Sequence, residues 1–176
     1  LNIFALDLDP VTCAQYHVDK HVVKMPTEHR QMMATLYHGH PEAPFGFSLR
    51  RKGFINHPCT VWLRSSYSNW KWLYDLTIAL EDEWRHRYGH PSTKRHASVV
   101  TAQLFEPPAW LPDIGLTQFA QAMPEHIQIR NGCGSVEDSI SAYRAYYTLE
   151  KTHLANWKNR EVPEWYRKSI NLICTL

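Results

Sequence analysis

Five polar side chains recur along the first strongly periodic stretch of the chain: His17, His21, Lys24, Glu28 and Gln31. Spaced three and four residues apart, they project within a sector of about 80° if the stretch is helical. A lysine beside a carboxylate and two imidazoles is a set suited to proton transfer or amine chemistry. Neighbouring charges and burial can shift such a lysine towards neutrality, where its amine becomes a nucleophile. The same stripe also reads as a solvated helix face with i,i+4 support from Lys24 and Glu28, although Lys before Glu is the less favourable order for that support. His17 and His21 form an H-x-x-x-H pair, a helical spacing that can seat a metal, with His57 as the third ligand to test. The zincin pattern needs glutamate directly after the first histidine, and Val18 stands there, so neither a metal nor another cofactor is assigned.

These groups act together only if local structure holds them. Asn2-Ile3-Phe4-Ala5-Leu6 is a short apolar segment, and Asp9-Pro10 then supplies an N-cap followed by proline in the first helical turn. The spacing predicts a helix from there through Met33 or beyond, kinked at Pro26, which lacks a backbone N–H. Ala14, Val18, Val22, Met25 and Met32 fall in the adjacent sector and are expected to meet the core, with Lys20 flanking the polar stripe on its other side. Pro41, Pro44 and Gly46 break the pattern between Gly39 and Asn56, so a loop is expected there. Asn56-His57-Pro58 restarts a helix, along one side of which Trp62, Ser66, Asn69, Leu73, Leu76, Leu80 and Trp84 recur as far as Tyr88-Gly89. Ser92 is expected to cap a shorter helix to about Leu104, and Pro107, Pro108 and Pro112 make a rigid connector. Ser135 and Asp138 resemble a capping box for a last long helix carrying Tyr143, Tyr147, Glu150, Leu154 and Trp157 on one side. Strand-like alternation is scarce. The expected fold is all-α: a compact single domain over residues 1–176, a bundle of three long helices plus a shorter one, with irregular loops and an aromatic C-terminal tail.

A chain of 176 residues is long enough to bury a core without disulfides or metals, and 44% apolar with 20% charged residues excludes a disordered chain. Cys13, Cys59, Cys133 and Cys174 lie far apart, without C-x-x-C or zinc-ribbon spacing, and are expected as reduced thiols of a cytoplasmic protein. No apolar run approaches the ~20 residues of a membrane span, so a soluble protein is expected. A formal net charge of +2 excludes a strongly basic nucleic-acid coat, and any affinity for DNA has to come from local clusters. Arg50-Arg51-Lys52 in the expected loop and Lys94-Arg95-His96 are two such clusters; for each, a solvated basic loop is the competing reading.

The stretch from Cys13-Ala14-Gln15-Tyr16-His17 to Lys24-Met25-Pro26 resembles the first helix of phage pyrimidine-dimer DNA glycosylases of the endonuclease V type, whose helix also carries a histidine and, nine residues later, a proline. Asn56-His57-Pro58 with the Trp-rich helix behind it is similar to that family's second helix, and Ser139 to Trp157 to its third. Pro163-Glu164-Trp165-Tyr166-Arg167-Lys168 is similar to its aromatic and basic tail. The whole chain, including His-Val-Asp-Lys-His-Val-Val-Lys-Met, Asn-His-Pro-Cys and Gln-Ala-Met-Pro, also looks like a group of phage proteins placed with those enzymes.

The resemblance implies a helical enzyme, a monomer in a bacterial or phage-infected cell, acting on damaged or modified double-stranded DNA. The N-terminal α-amine, here on Leu1, would attack the sugar carbon of the damaged nucleotide, and a carboxylate on the first helix would stabilise the resulting imine and help strand cleavage. An α-amine, with an ordinary pKa near ~8, suits that attack. Aligned on His17 and Pro26, the family's catalytic glutamate falls at Lys24 and its flanking arginines at Val23 and Thr27. Glu28, one helical turn further on, is therefore the candidate carboxylate. The candidate site is Leu1, Lys24, Glu28, His17, His21 and His57, with Arg50, Arg51, Lys52, Trp165, Tyr166, Arg167 and Lys168 as candidate DNA contacts by phosphate binding and stacking. Two alternatives remain: a DNA-binding module that keeps the scaffold without its chemistry, and a base-modifying or metal-assisted enzyme on the same fold.

Overall fold

Asp9 opens the first helix with the chemistry expected of it. Its carboxylate accepts the Thr12 N–H at 2.8 Å, and Pro10 takes a position where no intrahelical N–H is missed. In this computed structural model, which describes residues 1–38, 54–103, 105–130, 134–173 and 175, helix α1 covers Pro10–Tyr16 and α2 covers Asp19–Leu36. The single helix expected here is thus broken, because His17 and Val18 are extended, with ψ of 138° and 154°. The cause lies far along the chain. The buried Arg87 guanidinium reaches the Asp19 carboxylate at 2.7 Å and the Gln15 carbonyl at 2.9 Å, and the Asp19 N–H donates to the Asn156 carbonyl at 2.9 Å. Pro26 lies within α2, which continues past it to Leu36.

The second expected helix is also two: α3, Pro58–Ser65, and α4, Tyr67–Tyr88. Ser66 separates them, accepting the Ser68 N–H and donating its hydroxyl to the Gly115 carbonyl at 2.7 Å. Gly89 ends α4 in the left-handed region (φ 62°), where a Cβ would be strained. Helix α5, Ala97–Ala102, is capped by His96 and not by Ser92. Helix α6, Val136–Glu150, opens on the Ser135/Asp138 capping box but stops short of Trp157, which is buried beyond its end. The aromatic tail is itself a helix, α7, Glu164–Ile173. Among the described residues there are seven α-helices and no strand, so the fold is all-α as the periodicity requires. None of these helices is long and apolar enough to cross a membrane.

Helix α2 packs against α3, α4 and α5, while α1 lies on α4 and α7 on α6. One hydrophobic cluster runs through them and takes in Ala14, Val18, Val22, Met25 and Met32, the sector expected to face inward. It also takes in Ile3, Phe4, Ala5 and Leu6 of the N-terminal segment. Phe4 sits at φ 44°, a region that bulky residues avoid at a cost on the order of 1–3 kcal/mol. Its ring stacks on His21 at 4.2 Å, and the Cys13 thiol clamps the turn by accepting the Leu6 N–H at 3.3 Å and meeting the Phe4 carbonyl at 3.5 Å. That turn brings the first two residues beside α2.

Candidate active site

Glu28 is 8% exposed, although it belongs to the polar stripe. One turn before it on α2, Lys24 places Nζ 2.8 Å from Oε1, with its own side chain still 68% exposed. From the other side the N-terminal amine of Leu1 lies 3.8 Å from Oε2, and the Asn2 N–H donates to the same oxygen at 2.9 Å. A buried carboxylate is therefore held between two amines, one at the surface and one at the chain end. Such a group can hold an amine, compensate a cationic imine and move protons beside it.

The wall behind the amine comes from the other half of the chain. Asn2 Nδ2 donates to the Ala122 carbonyl at 2.7 Å, and the Tyr143 hydroxyl, fully buried on α6, bonds Asn2 Oδ1 at 2.8 Å. His57 stands at the N-cap of α3, its Nδ1 accepting the Cys59 N–H at 3.2 Å. Burial lowers its pKa first and the nearby N-terminal amine lowers it further, against the opposing pull of Glu28. The buried Cys59 thiol is pushed up to about 12, chiefly by burial, with the amine, Tyr143 and Glu28 also in range. Lys24 and Glu28 meet at their helical spacing, and the N-terminal turn and the start of α3 bring Leu1 and His57 near the same carboxylate. Asn2, Cys59 and Tyr143 were not picked out beforehand; the available signal was a lone amide side chain within the apolar N-terminal segment.

His17 and His21 are placed differently. His17 is fully buried at the α1–α2 break, with Nδ1 on the Cys13 carbonyl at 2.7 Å, and burial takes its pKa to about 4. His21 bonds the Tyr147 hydroxyl through Nδ1 at 2.6 Å beneath the Phe4 ring, and burial takes its pKa to about 3. Both serve as neutral core groups two or more turns from Glu28. His29 is a third: fully buried, bonded to Thr77 Oγ1 at 3.0 Å and pushed well below the ordinary histidine range by burial. Among the described residues no group of three or more His, Cys, Asp or Glu side chains is arranged to hold a metal, and His57 belongs to the amine site instead of joining the His17–His21 pair.

Of the candidate DNA contacts, Arg50, Arg51 and Lys52 lie outside the described residues. In α7, Arg167 and Lys168 are exposed, and Lys168 pairs with Glu164 at 2.7 Å. Tyr166 is buried edge-on to Trp157, and the half-buried Trp165 ring meets Tyr16 and the Arg144 guanidinium. The Lys94-Arg95-His96 cluster is partly engaged inside the fold: Arg95 Nε bonds Glu81 at 3.0 Å, the His96 N–H bonds it at 2.7 Å, and Lys94 lies over Trp84.

The family model described as pyrimidine dimer DNA glycosylase matches residues 1–96. The chain belongs to that family. The matched region contains both amines, Glu28 and His57, so the part of the site built on the first helices lies within it. Family membership supports a glycosylase activity on DNA, and hence DNA as the substrate. No curated protein and no solved structure matches the chain.

Proposed function

We propose that the chain is a DNA glycosylase with associated lyase activity, acting on damaged or modified pyrimidines in double-stranded DNA through an amine held by Glu28. The observation that carries this reading is the buried carboxylate bridging the Leu1 amine and Lys24. In the reaction the unprotonated amine forms a bond to the sugar C1′ as the C1′–base bond breaks, and the departing base keeps that electron pair and takes up a proton. The sugar ring then opens, leaving C1′ doubly bonded to the amine nitrogen while the ring oxygen gains a proton. Loss of a C2′ proton and departure of the 3′ phosphate oxygen cut the strand, and water returns the amine. Glu28 compensates the cationic imine and relays protons at the amine.

The Leu1 amine is the nucleophile in this reading, because it sits beside the buried Glu28 carboxylate whereas the Lys24 side chain is 68% exposed. Exposed Arg167 and Lys168 supply phosphate contacts, Arg50, Arg51 and Lys52 are proposed for the same role, and the half-buried Trp165 is the stacking group of α7, since Tyr166 is buried against Trp157. Borohydride trapping on a duplex with an abasic site tests the reading, because hydride reduces only an imine to a stable covalent link. Acetylating the α-amine should abolish trapping and Lys24→Ala should leave it intact; the reverse result assigns the attack to Lys24. The replacement of the family's glutamate by Lys24 favours a second reading, a binding module without chemistry, and binding with no trapping at all would establish it.

A further inference from the structure

We propose that Asn2 is the positioning residue for the N-terminal amine, and that Tyr143 and the Gln121-Ala122-Met123-Pro124 loop are the frame that fixes it; this inference rests on the amine reading above. The contacts beside the Leu1 nitrogen are polar and lie on the next residue. The Asn2 N–H is held by Glu28 at 2.9 Å, Nδ2 by the Ala122 carbonyl at 2.7 Å, and Oδ1 by the Tyr143 hydroxyl and the Ile3 N–H, each at 2.8 Å. A carbonyl can only accept, so the Ala122 oxygen fixes which end of the amide faces it. The peptide unit next to the amine is therefore gripped through its backbone by α2 and through its side chain from the far half of the chain. Only the Leu1 backbone torsions remain to aim the nitrogen.

The frame is stiff in its own right. The Gln121 side-chain amide donates to the Ile129 carbonyl at 2.9 Å and accepts the Ile129 N–H at 2.8 Å, closing the loop on itself. Gln128 Nε2 donates to the Met123 carbonyl at 2.8 Å. The Tyr143 oxygen also lies 2.6 Å from the Ala120 carbonyl and accepts the Ala122 N–H at 3.3 Å, so its single proton is shared between Asn2 Oδ1 and Ala120 while its oxygen meets the loop. Burying Ile3 to Leu6 would suffice to anchor the segment to the core. The amide contacts add direction, which a nucleophile needs and a mere anchor does not. Gln121, Ala122 and Tyr143 all lie beyond the residues matched by the family model, so this frame is a feature of the present chain's second half.

The test compares wild type with Asn2→Ala and with Tyr143→Phe, which keeps the ring and removes only the hydroxyl. Three quantities are read: the rate of borohydride trapping on abasic duplex, affinity for the same duplex carrying an unreactive tetrahydrofuran site, and the trapped residue by peptide mapping. Both variants should trap about ten- to a hundred-fold more slowly at Leu1, the scale expected for a misplaced reacting group. Affinity should be unchanged, and the share of adduct on Lys24 should rise. Trapping at the wild-type rate, or a loss of rate matched by an equal loss of affinity, would overturn the positioning role. Absence of trapping in wild type itself would instead overturn the amine reading on which the inference stands.

Discussion

Acidification from pH 7 to pH 5 should destabilise the fold by about 4 kcal/mol through two histidines alone. His17 and His21 have an ordinary value of 6.5, and burial lowers them to about 4 and about 3. At pH 5 both remain largely neutral in the folded chain, while the unfolded chain has bound nearly a full proton at each. The unfolded state thus carries more protons in this window, and stability falls as the pH falls. Each histidine loses about 1.5 pH units of linkage at roughly 1.36 kcal/mol per unit, or about 2 kcal/mol. His29, displaced in the same direction, adds to the loss. Against a typical total of ~5–15 kcal/mol this is a large fraction. Carboxylates with lowered values, such as Glu81 and Glu83, contribute stability that is lost only as the pH falls below their ordinary 4.5, outside the window. Urea unfolding at pH 7, 6 and 5 should show a falling midpoint at constant slope, and His21→Gln should recover about 2 kcal/mol of the pH-dependent loss whatever its effect at pH 7. A wild-type midpoint unchanged between pH 7 and pH 5, or a His21→Gln variant with the full pH dependence, would show that His17 and His21 are not held neutral by burial.

Arg87→Met should cost about 3–5 kcal/mol in the same assay, because it leaves the buried Asp19 and Glu83 carboxylates without their shared guanidinium. Ser135→Ala removes the hydroxyl that accepts the Asp138 N–H at 3.0 Å and should cost about 1 kcal/mol, read as a lower unfolding midpoint. Replacing Arg50, Arg51 and Lys52 together with alanine should weaken binding to duplexes of every sequence and flatten its salt dependence, measured by titration at several salt concentrations; an unchanged salt slope would remove the cluster from the DNA surface.

The helical class and the inward sectors were legible because side-chain period and caps are local. Ala14, Val18, Val22, Met25 and Met32 are buried as their spacing demands, and Asp9 and Ser135 cap helices as read. The breaks at His17–Val18 and Ser66 were not legible, since the apolar period runs through both. They are imposed by partners distant in sequence: Arg87 and Asn156 at Asp19, and Gly115 and Pro112 at Ser66 and Tyr67. The same distant pull separates the polar stripe into two parts. A straight helix would align His17 and His21 with Glu28, but the break leaves His17 in the core, and Phe4 and Tyr147 cover His21. The juxtaposition of Glu28, Lys24 and the amine was half visible. Helical spacing gives Lys24 and Glu28, whereas the approach of Leu1 depends on the Phe4 turn and the Asn2 contacts, which no local pattern encodes.

The role of Glu28 is tested most directly by a single-turnover comparison of wild type and Glu28→Gln on a duplex carrying one pyrimidine dimer, following scission of the C1′–base bond and of the strand together with duplex affinity. Glutamine keeps an acceptor for the Asn2 N–H and removes only the charge beside the amines. Glu28→Gln should fold, bind the duplex as tightly as wild type, and lose most turnover. Turnover equal to wild type would contradict a catalytic Glu28 and return it to the role of a salt-bridged helix residue.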